Sequence, residues 1–391
     1  MPQDTTLFDA VQRITPVIRA YREQAEHDRR LSTPVVEAMA EAGLLRMATP
    51  QSLGGLEVDP LTCARVVEAV AQADSAAGWA LTNPLFYAWS CARLPDAGAE
   101  TLSRHQPYSI IVGATPTAIQ ATPVAGGYRV TGRVPFVSNC QNATWYTANA
   151  RLGEAGPSPQ GTEPPPVVRV FLPIEECETI DTWHVLGMRG TGSHDVAVHD
   201  VFVPEALTFL STPDGVPGTH YQGALYRFSG IGGLAMVFPS VALAVSRCAI
   251  EEVTTLIQSK TPAVTTTALR ERASAQATLA QAEGLWRAGR ALLYETLGAA
   301  WEVCVAGETL TLHQRADLLL AMTQAVRGAA TAVEWMWGVA GTSGIFLSSP
   351  LERHFRDMQV LKQHAFYAEQ RYETVGRVYL GLPPQFAAIE L

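Results

Sequence analysis

The sequence predicts an α+β fold in three parts: a helical N-terminal domain over residues 1–115, a central β domain over 116–213, and a C-terminal helical bundle over 214–391. Three observations predict it. Apolar residues recur at helical spacing through the first third of the chain. Near residue 115 the period shortens to the alternation of strands, and from about 230 helical spacing returns and runs nearly unbroken. A length of 391 residues is itself that of about two to three domains.

In the N-terminal part, Val11, Ile14, Ile18 and Tyr21 share one helical face. Thr33-Pro34 reads as an N-cap with proline at the first helical position, and Gly43 ends that short helix. Asp59-Pro60 repeats the start signal before Cys63, Val66, Val67 and Val70, and Asp74-Ser75 opens a helix into the aromatic-rich "GWALTNPLFYAW". In the central part, "TPVAGGYRVTGRVPFVSN" has a Gly-Gly turn followed by alternation, and "TWYTANARL" and "PVVRVFLP" are strand-like. Between the last two, "GEAGPSPQGTEPPP" reads as an exposed loop. Four helix candidates follow: "LAMVFPSVALAVSRCAIEEVTTLI", "ALRERASAQATLAQAEGLWRAGRALLYETL", "LTLHQRADLLLAMTQAVRGAATAVEWMWGVAG" and "SPLERHFRDMQVLKQHAFYAEQRYETVGRVYL". Four helices of this length predict an antiparallel bundle.

Composition narrows the function. A net charge of −9 leaves no basic stripe for nucleic acid and no attraction to an anionic membrane. Hydrophobic content of 47% with 17% charged residues is that of a globular chain with a large core, and no spanning helix is expected. Six cysteines without a C-x-x-C pair, behind a polar and acidic N-terminus, predict reduced thiols and a cytoplasmic location. No metal is expected: His194 and His199 stand five apart on a presumed strand and so face opposite sides. There is no G-x-S-x-G elbow and no G-x-G-x-x-G fingerprint after a strand.

The densest stretch is "DTWHVLGMRGTGSHDVAVHDVFVP", residues 181–204, with Gly187, Gly190 and Gly192 alternating with Arg189, Thr191 and Ser193. Together with "ADSAAGWAL", "GRVPFVSNCQNATW" and "VAGTSGIFLSSPLERHFRD…H", it resembles the acyl-CoA dehydrogenase superfamily. It resembles more closely the flavin-dependent monooxygenases built on that fold. The resemblance covers nearly the whole chain; each motif alone is weak, and four in order are strong. It implies an acyl-CoA dehydrogenase-like fold, an N-terminal helical domain, a central β-barrel or sandwich and a C-terminal four-helix bundle, with a flavin against the β domain. Glycines would let the backbone approach the flat ring, small hydroxyls would bond its polar edge, and a tryptophan would cover a face. The residues so implied to bind the cofactor are Ser138, Asn139, Trp183, Arg189, Thr191, Gly192 and Ser193, with Trp183 and Arg189 shaping the loop rather than touching substrate.

The branches of the family differ in what acts beside the flavin. A dehydrogenase needs a carboxylate base α to a thioester. Eight positions past Asp357 of the Arg356-Asp357 pair stands Ala365, Glu369 and Glu373 lie too far along, and the alternative site reads Ala235-Met236-Val237-Phe238. The monooxygenase branch carries instead a histidine after "RD", matched by His364, which would hydrogen-bond a C4a-hydroperoxyflavin or take a proton from substrate. Ser138 matches the serine placed at the flavin's reactive edge, able to donate to N5 or O4. Two departures stand out: Asn139 replaces the usual glycine after that serine, and Tyr87 stands where several relatives have another histidine.

Trp79, Asn83, Phe86, Tyr87 and Phe238 are the candidate substrate pocket. A cluster such as Trp79, Phe86, Tyr87 and Trp89 is more often core, so one or two of the four are expected to line a cavity. Trp337 and Lys260 replace the glutamine and arginine that relatives set on the adenine side, which favours FMN, or a loosely held reduced FAD. Lacking a nicotinamide site, the chain would need a separate reductase. The implied reaction is oxygenation by O2 of a small aromatic or heteroatom-bearing molecule, and the implied assembly a homotetramer. The alternatives are an acyl-CoA dehydrogenase with a displaced base and a non-catalytic flavin binder.

Overall fold

The computed structural model describes residues 2–104, 108–153, 166–211, 216–263 and 265–389. The expected loop at 153–166 falls almost wholly outside them.

Five helices come first: α1 (Pro2–Asp28), α2 (Thr33–Glu41), α3 (Pro60–Ala73), α4 (Ser75–Ser90) and α5 (Asp96–Ser103). Asp59 caps α3 by accepting from the N–H groups of Leu61 and Thr62, and Asp74 caps α4 through Ala77. Thr33 is the first helical residue rather than the cap; Ser32 holds the cap position and makes no side-chain bond there. Gly43, at φ +76°, turns the chain after α2 in a conformation that favours glycine. Every residue of α4 from Ser75 to Ala88 is buried, so this helix is the core of the N-terminal part.

The sheet has eight strands: β1 (Ile111–Gly113), β2 (Ile119–Val124), β3 (Gly127–Val137), β4 (Trp145–Leu152), β5 (Val167–Pro173), β6 (Glu178–Ile180), β7 (His194–Pro204) and β8 (Thr208–Leu210). Its order is β6-β7-β3-β2-β4-β5-β8. Strands β1 and β2 both run parallel to β4, against Trp145–Thr147 and Ala150–Leu152 respectively. They form one interrupted line whose gap, residues 114–118, carries no ladder pairing. On β3 the register against β7 shifts between Val134 and Val137, and inside that shift Phe136 adopts φ +64°.

The C-terminal part contains α6 (Gly230–Ala235), α7 (Phe238–Ser259), α8 (Ala273–Val305), α9 (Leu312–Ala340), α10 (Pro350–Leu361) and α11 (Gln370–Tyr379). Helices α8 and α9 pack along one another, α7 lies against α9, and α10 and α11 complete the bundle against α7 and α9. Two of the four expected helices are broken. Pro239 lacks an N–H and fits only a helix start, so α7 begins at Phe238 and α6 stands apart. The last candidate breaks after α10 without proline or glycine: the His364 side chain accepts the N–H of Phe366 and opens a short 3₁₀ turn, Ala365–Tyr367. Gly230–Ser259 is also long and apolar enough to cross a membrane, against the expectation of none, but its most apolar window is 89% buried inside the protein.

Candidate active site

The parts meet at a cavity of about 410 Å³, within the range of about 300–1,000 Å³ usual for small-molecule sites. Helix α4 supplies Trp79, Asn83, Phe86 and Tyr87, and the strand gap supplies Ala114, Thr115 and Pro116. Phe136 and Ser138 come from the end of β3, and Trp183, Met188, Thr191 and Ser193 from the glycine-rich loop. Leu234 and Phe238 flank the break between α6 and α7; His364 and Phe366 flank the break after α10. Both helix interruptions thus open onto the same space.

One wall is aromatic. Trp79 meets Phe238 edge-on at 5.0 Å between ring centres, and Phe86 meets Phe238 at 5.9 Å. His364 sits among them, 5.5 Å from Trp79, 5.2 Å from Phe366 and 6.1 Å from Phe238. Desolvation by these rings pushes its pKa down to about 4, so the imidazole is neutral at physiological pH. Because Nδ1 accepts from the Phe366 N–H at 3.4 Å, the proton resides on Nε2, which is a donor.

Adjoining the aromatic wall at Trp79 is a row of hydroxyls. Trp79 Nε1 donates to Ser138 Oγ at 3.0 Å, Ser138 and Ser193 are 2.7 Å apart, Ser193 and Thr191 are 2.7 Å apart, and Thr191 Oγ1 donates to the Met188 carbonyl at 2.8 Å. Trp183 borders this row, its Nε1 donating to the same carbonyl at 3.0 Å. His194, buried beneath, accepts at Nδ1 from the N–H groups of Thr182 and Trp183, both at 3.2 Å, and so fixes the tryptophan's backbone.

The glycines of this loop serve packing rather than close approach to a cofactor. A Cβ on Gly187 would lie 2.3 Å from the Arg356 carbonyl, and one on Gly190 would meet Ala76 and Ala25 at 3.0 and 3.2 Å. On Gly192, at φ +51°, it would meet Gln141 Oε1 at 2.7 Å and the Arg29 carbonyl at 2.9 Å. The loop is pressed against α1, α4 and α10, and only glycine leaves room for those backbones. Asp357 ties it down: its carboxylate accepts from the Met188 N–H and from Ser75 Oγ, each at 2.5 Å, while Arg356 donates to the Leu186 carbonyl at 2.9 Å.

The structure therefore brings Trp79, Asn83, Phe86, Tyr87, Ser138, Trp183, Thr191, Ser193, Phe238 and His364 to one cavity. Three of the four α4 aromatics line it, more than expected; Trp89 packs on Gly233 instead. Asn139, Arg189 and Gly192 stand behind the wall. Asn139, at φ +61°, turns the chain, donates its N–H to the Thr191 carbonyl at 2.7 Å and accepts from Asn142. Arg189 is half-buried, with Nε unpaired. The sequence reading missed Phe136 and Met188 on the wall and the clamp at Asp357. Phe136 lies inside the register shift of β3, where strand alternation fails, so no local period in the sequence places it.

The lining holds the groups a flavin ring would need: Trp79, Phe238, Trp183 and Phe136 for flat apolar faces and the hydroxyl row for a polar edge. Residues 6–93 match the family "Acyl-CoA dehydrogenase, N-terminal domain" and residues 236–369 match "Acyl-CoA dehydrogenase, C-terminal domain", together more than half of the chain. Fold and cavity are those of a flavoenzyme with helical, β and helical parts. The chain belongs to the acyl-CoA dehydrogenase superfamily, among its flavin-dependent monooxygenases. It is 29% identical to an indole-3-acetate monooxygenase of Pseudomonas putida, over 94% of this chain and 91% of the relative. To the oxygenase component of an FADH(2)-dependent resorcinol hydroxylase of Rhizobium it is 25% identical, over 97% and 95%. In structure it is similar to XiaF of Streptomyces, solved with FADH2 and glycerol, at a TM-score of 0.90 and 24% identity, over 98% and 97% of the two chains.

Proposed function

We propose that this chain is the oxygenase of a two-component system, taking reduced FMN or FAD from a separate reductase and oxygenating a small aromatic or heteroatom-bearing molecule. The observation that carries the reading is the wall itself: among the described residues the cavity has no carboxylate, but has a neutral histidine and a hydroxyl row. A dehydrogenase base is missing where it would act. Ala365 stands at the wall, Glu369 pairs with Arg327 at the surface, and Glu373 is exposed. The names of the relatives, an indole-3-acetate monooxygenase and a resorcinol hydroxylase, support a small aromatic substrate.

Reduced flavin and O2 supply the electrons and the activated oxygen; the protein's residues position and shield. The hydroxyls of Ser138, Thr191 and Ser193 would hold the ring's polar groups, and Trp183 would shield its flat surface. His364 offers Nε2–H as a fixed donor to the transferring oxygen or to the substrate, and its low pKa keeps it from competing as a cation. The aromatic wall excludes water, which favours oxygen transfer over loss of the oxidant as peroxide. On the adenine side, Lys260 is already committed to the Ala340 carbonyl at 2.9 Å and Ser343 Oγ at 2.8 Å, which supports FMN as the first cofactor to test.

The experiment mixes anaerobic protein and reduced FMN with dissolved oxygen and follows near-ultraviolet absorbance. A transient band outlasting that of free flavin is expected; immediate return of oxidised flavin with stoichiometric peroxide would overturn the reading. Reduced FAD and acyl-CoA thioesters follow in the same apparatus, the latter testing a dehydrogenase directly. A homotetramer is part of the proposal, supported by the exposed run Ile345, Phe346 and Leu347, the last 88% exposed, and light scattering tests it. A cytoplasmic location, supported by six unpaired cysteines, completes it and is tested by fractionation.

A further inference from the structure

Polar groups without partners collect at one end of the cavity, where α4 packs on β1. A Cβ on Gly113 of β1 would lie 2.9 Å from Thr147 Cγ2 and 3.1 Å from Tyr87 Cζ, so those two side chains stand together there. Tyr87 lines the cavity and Thr147 stands behind it. The Thr147 hydroxyl is buried without a hydrogen-bond partner, and the Tyr87 hydroxyl makes no hydrogen bond among the described residues. Arg169 of β5 completes the group: its guanidinium lies over the Tyr87 ring, 5.9 Å from the ring centre, and its Nη1 is buried with no partner. The titratable groups acting on it are Tyr87, Cys91 and Tyr146, so no carboxylate among the described residues balances its charge. Other arginines reaching into the interior are matched: Arg353 holds Asp74 and Arg290 holds Glu68. Buried charges are ordinarily paired and buried hydroxyls ordinarily bonded. What this corner lacks is an acceptor, and the guanidinium calls for an anionic one.

We propose that this end of the cavity takes a carboxylate carried by the small aromatic substrate, with the Tyr87 hydroxyl as its hydrogen-bond donor and Arg169 as its counter-charge. The inference names a substrate class for the oxygenase reading above and rests on it. Tyr87 touches the substrate; Arg169 acts across the tyrosine ring and is a positioning residue. Burial pushes the Tyr87 pKa up to about 12, so the hydroxyl keeps its proton at neutral pH and can donate it. Arginine stays charged under the same conditions. The cavity lining itself has no charged side chain among the described residues, so this corner alone tells an acid from its amide by charge. A substrate held by one end also has a set atom to offer the oxidant.

The test titrates the full-length protein near pH 7, without flavin, against three isosteric pairs of acid and amide. The pairs are benzoate and benzamide, phenylacetate and phenylacetamide, and naphthylacetate and naphthylacetamide, with Kd read by calorimetry. Attraction between unit charges across one ring, at the effective dielectric of a buried site, is worth on the order of tenfold, so the best-bound acid is expected to exceed its amide by about that factor. Arg169→Met should abolish the preference and Arg169→Lys should keep most of it, whereas a merely structural role would weaken acid and amide alike. Tyr87→Phe should weaken the acid more than the amide, because hydrogen bonds to a charged acceptor are the stronger. Circular dichroism verifies that each variant is folded. Equal affinities in wild type, as for donors that hold water only, would overturn the inference. So would failure of all three acids to bind, or an acid preference that survives in both Arg169→Met and Tyr87→Phe. Reduced FMN is titrated separately: an acid preference in a protein that does not bind it would support the anion site and defeat the flavin reading instead.

Discussion

Asp357→Ala is expected to destabilise the protein by about 3–5 kcal/mol. Asp357 is 2% exposed, and its carboxylate joins three elements: it receives the Met188 N–H from the glycine-rich loop, Ser75 Oγ from the first turn of α4, and lies 3.7 Å from Arg353 on its own helix. Removing it leaves the Met188 N–H buried without a partner, a penalty of about 1–3 kcal/mol. Loss of the bond to Ser75 adds about 1.5 kcal/mol, less than a full charged bond because the hydroxyl can rotate. Arg353 loses least, since it keeps Asp74 at 2.7 Å and Glu26 at 3.5 Å. Asp357→Asn keeps an acceptor for Met188, gives up the charge and sets an amide donor against Ser75 Oγ, which the hydroxyl can accept by rotating, so about 1–2 kcal/mol is expected. Urea unfolding at one fixed protein concentration measures both, and flavin affinity of the folded fraction reports the loop. An alanine variant within 1 kcal/mol of wild type would refute the clamp; an asparagine variant as damaged as alanine would show that charge, rather than the bond to Met188, holds the loop.

Gly187→Ala places a methyl on the Arg356 backbone, which has no rotamer to move, so a loss of about 3 kcal/mol or failure to fold is expected in thermal unfolding. His364→Phe keeps the ring stacking but removes the Nε2–H; flavin affinity should change less than about threefold, while product formed per flavin in single turnover should fall at least about tenfold. For pH, His364 has a folded pKa of about 4 against an ordinary 6.5, so no histidine inflection from it is expected in single-turnover rates between pH 5 and 8. Its effect on stability follows with a definite sign. Below 6.5 the unfolded chain binds a proton that the folded chain refuses, so stability is greatest above 6.5 and falls as pH drops towards 4, by at most about 3 kcal/mol. Urea unfolding at pH 7 and 4.5 should show this loss in wild type and a smaller one in His364→Phe.

Legibility in the sequence tracked how local each determinant was. The caps at Asp59 and Asp74 are decided within four residues and stood plainly in the text. The break at Pro239 was equally local, yet it was overridden by the strength of the apolar period around it. The break at His364 was invisible, because a histidine that takes a backbone N–H looks like any helical histidine. Among site residues, those on the quoted motifs reached the cavity when their side chains pointed inward from a turn or helix face. Asn139, Arg189 and Gly192 did not, because motif membership reports that a loop is required without saying which residue supports and which presents. Asp357 served as a counting landmark only; its partners Ser75 and Met188 are 282 and 169 residues away, beyond any local pattern.

The interruption between β1 and β2 has a consequence for how such a protein can change its diet. Each half-strand is anchored to β4 by its own pairs, so residues 114–118 are suspended between two fixed posts. Ala114, Thr115 and Pro116 nevertheless form part of the cavity's lining. This short span is an exchangeable panel: its length and side chains can vary while the sheet register on either side stays where it is. A library confined to it would reshape the room offered to the substrate and leave the hydroxyl row and His364 untouched.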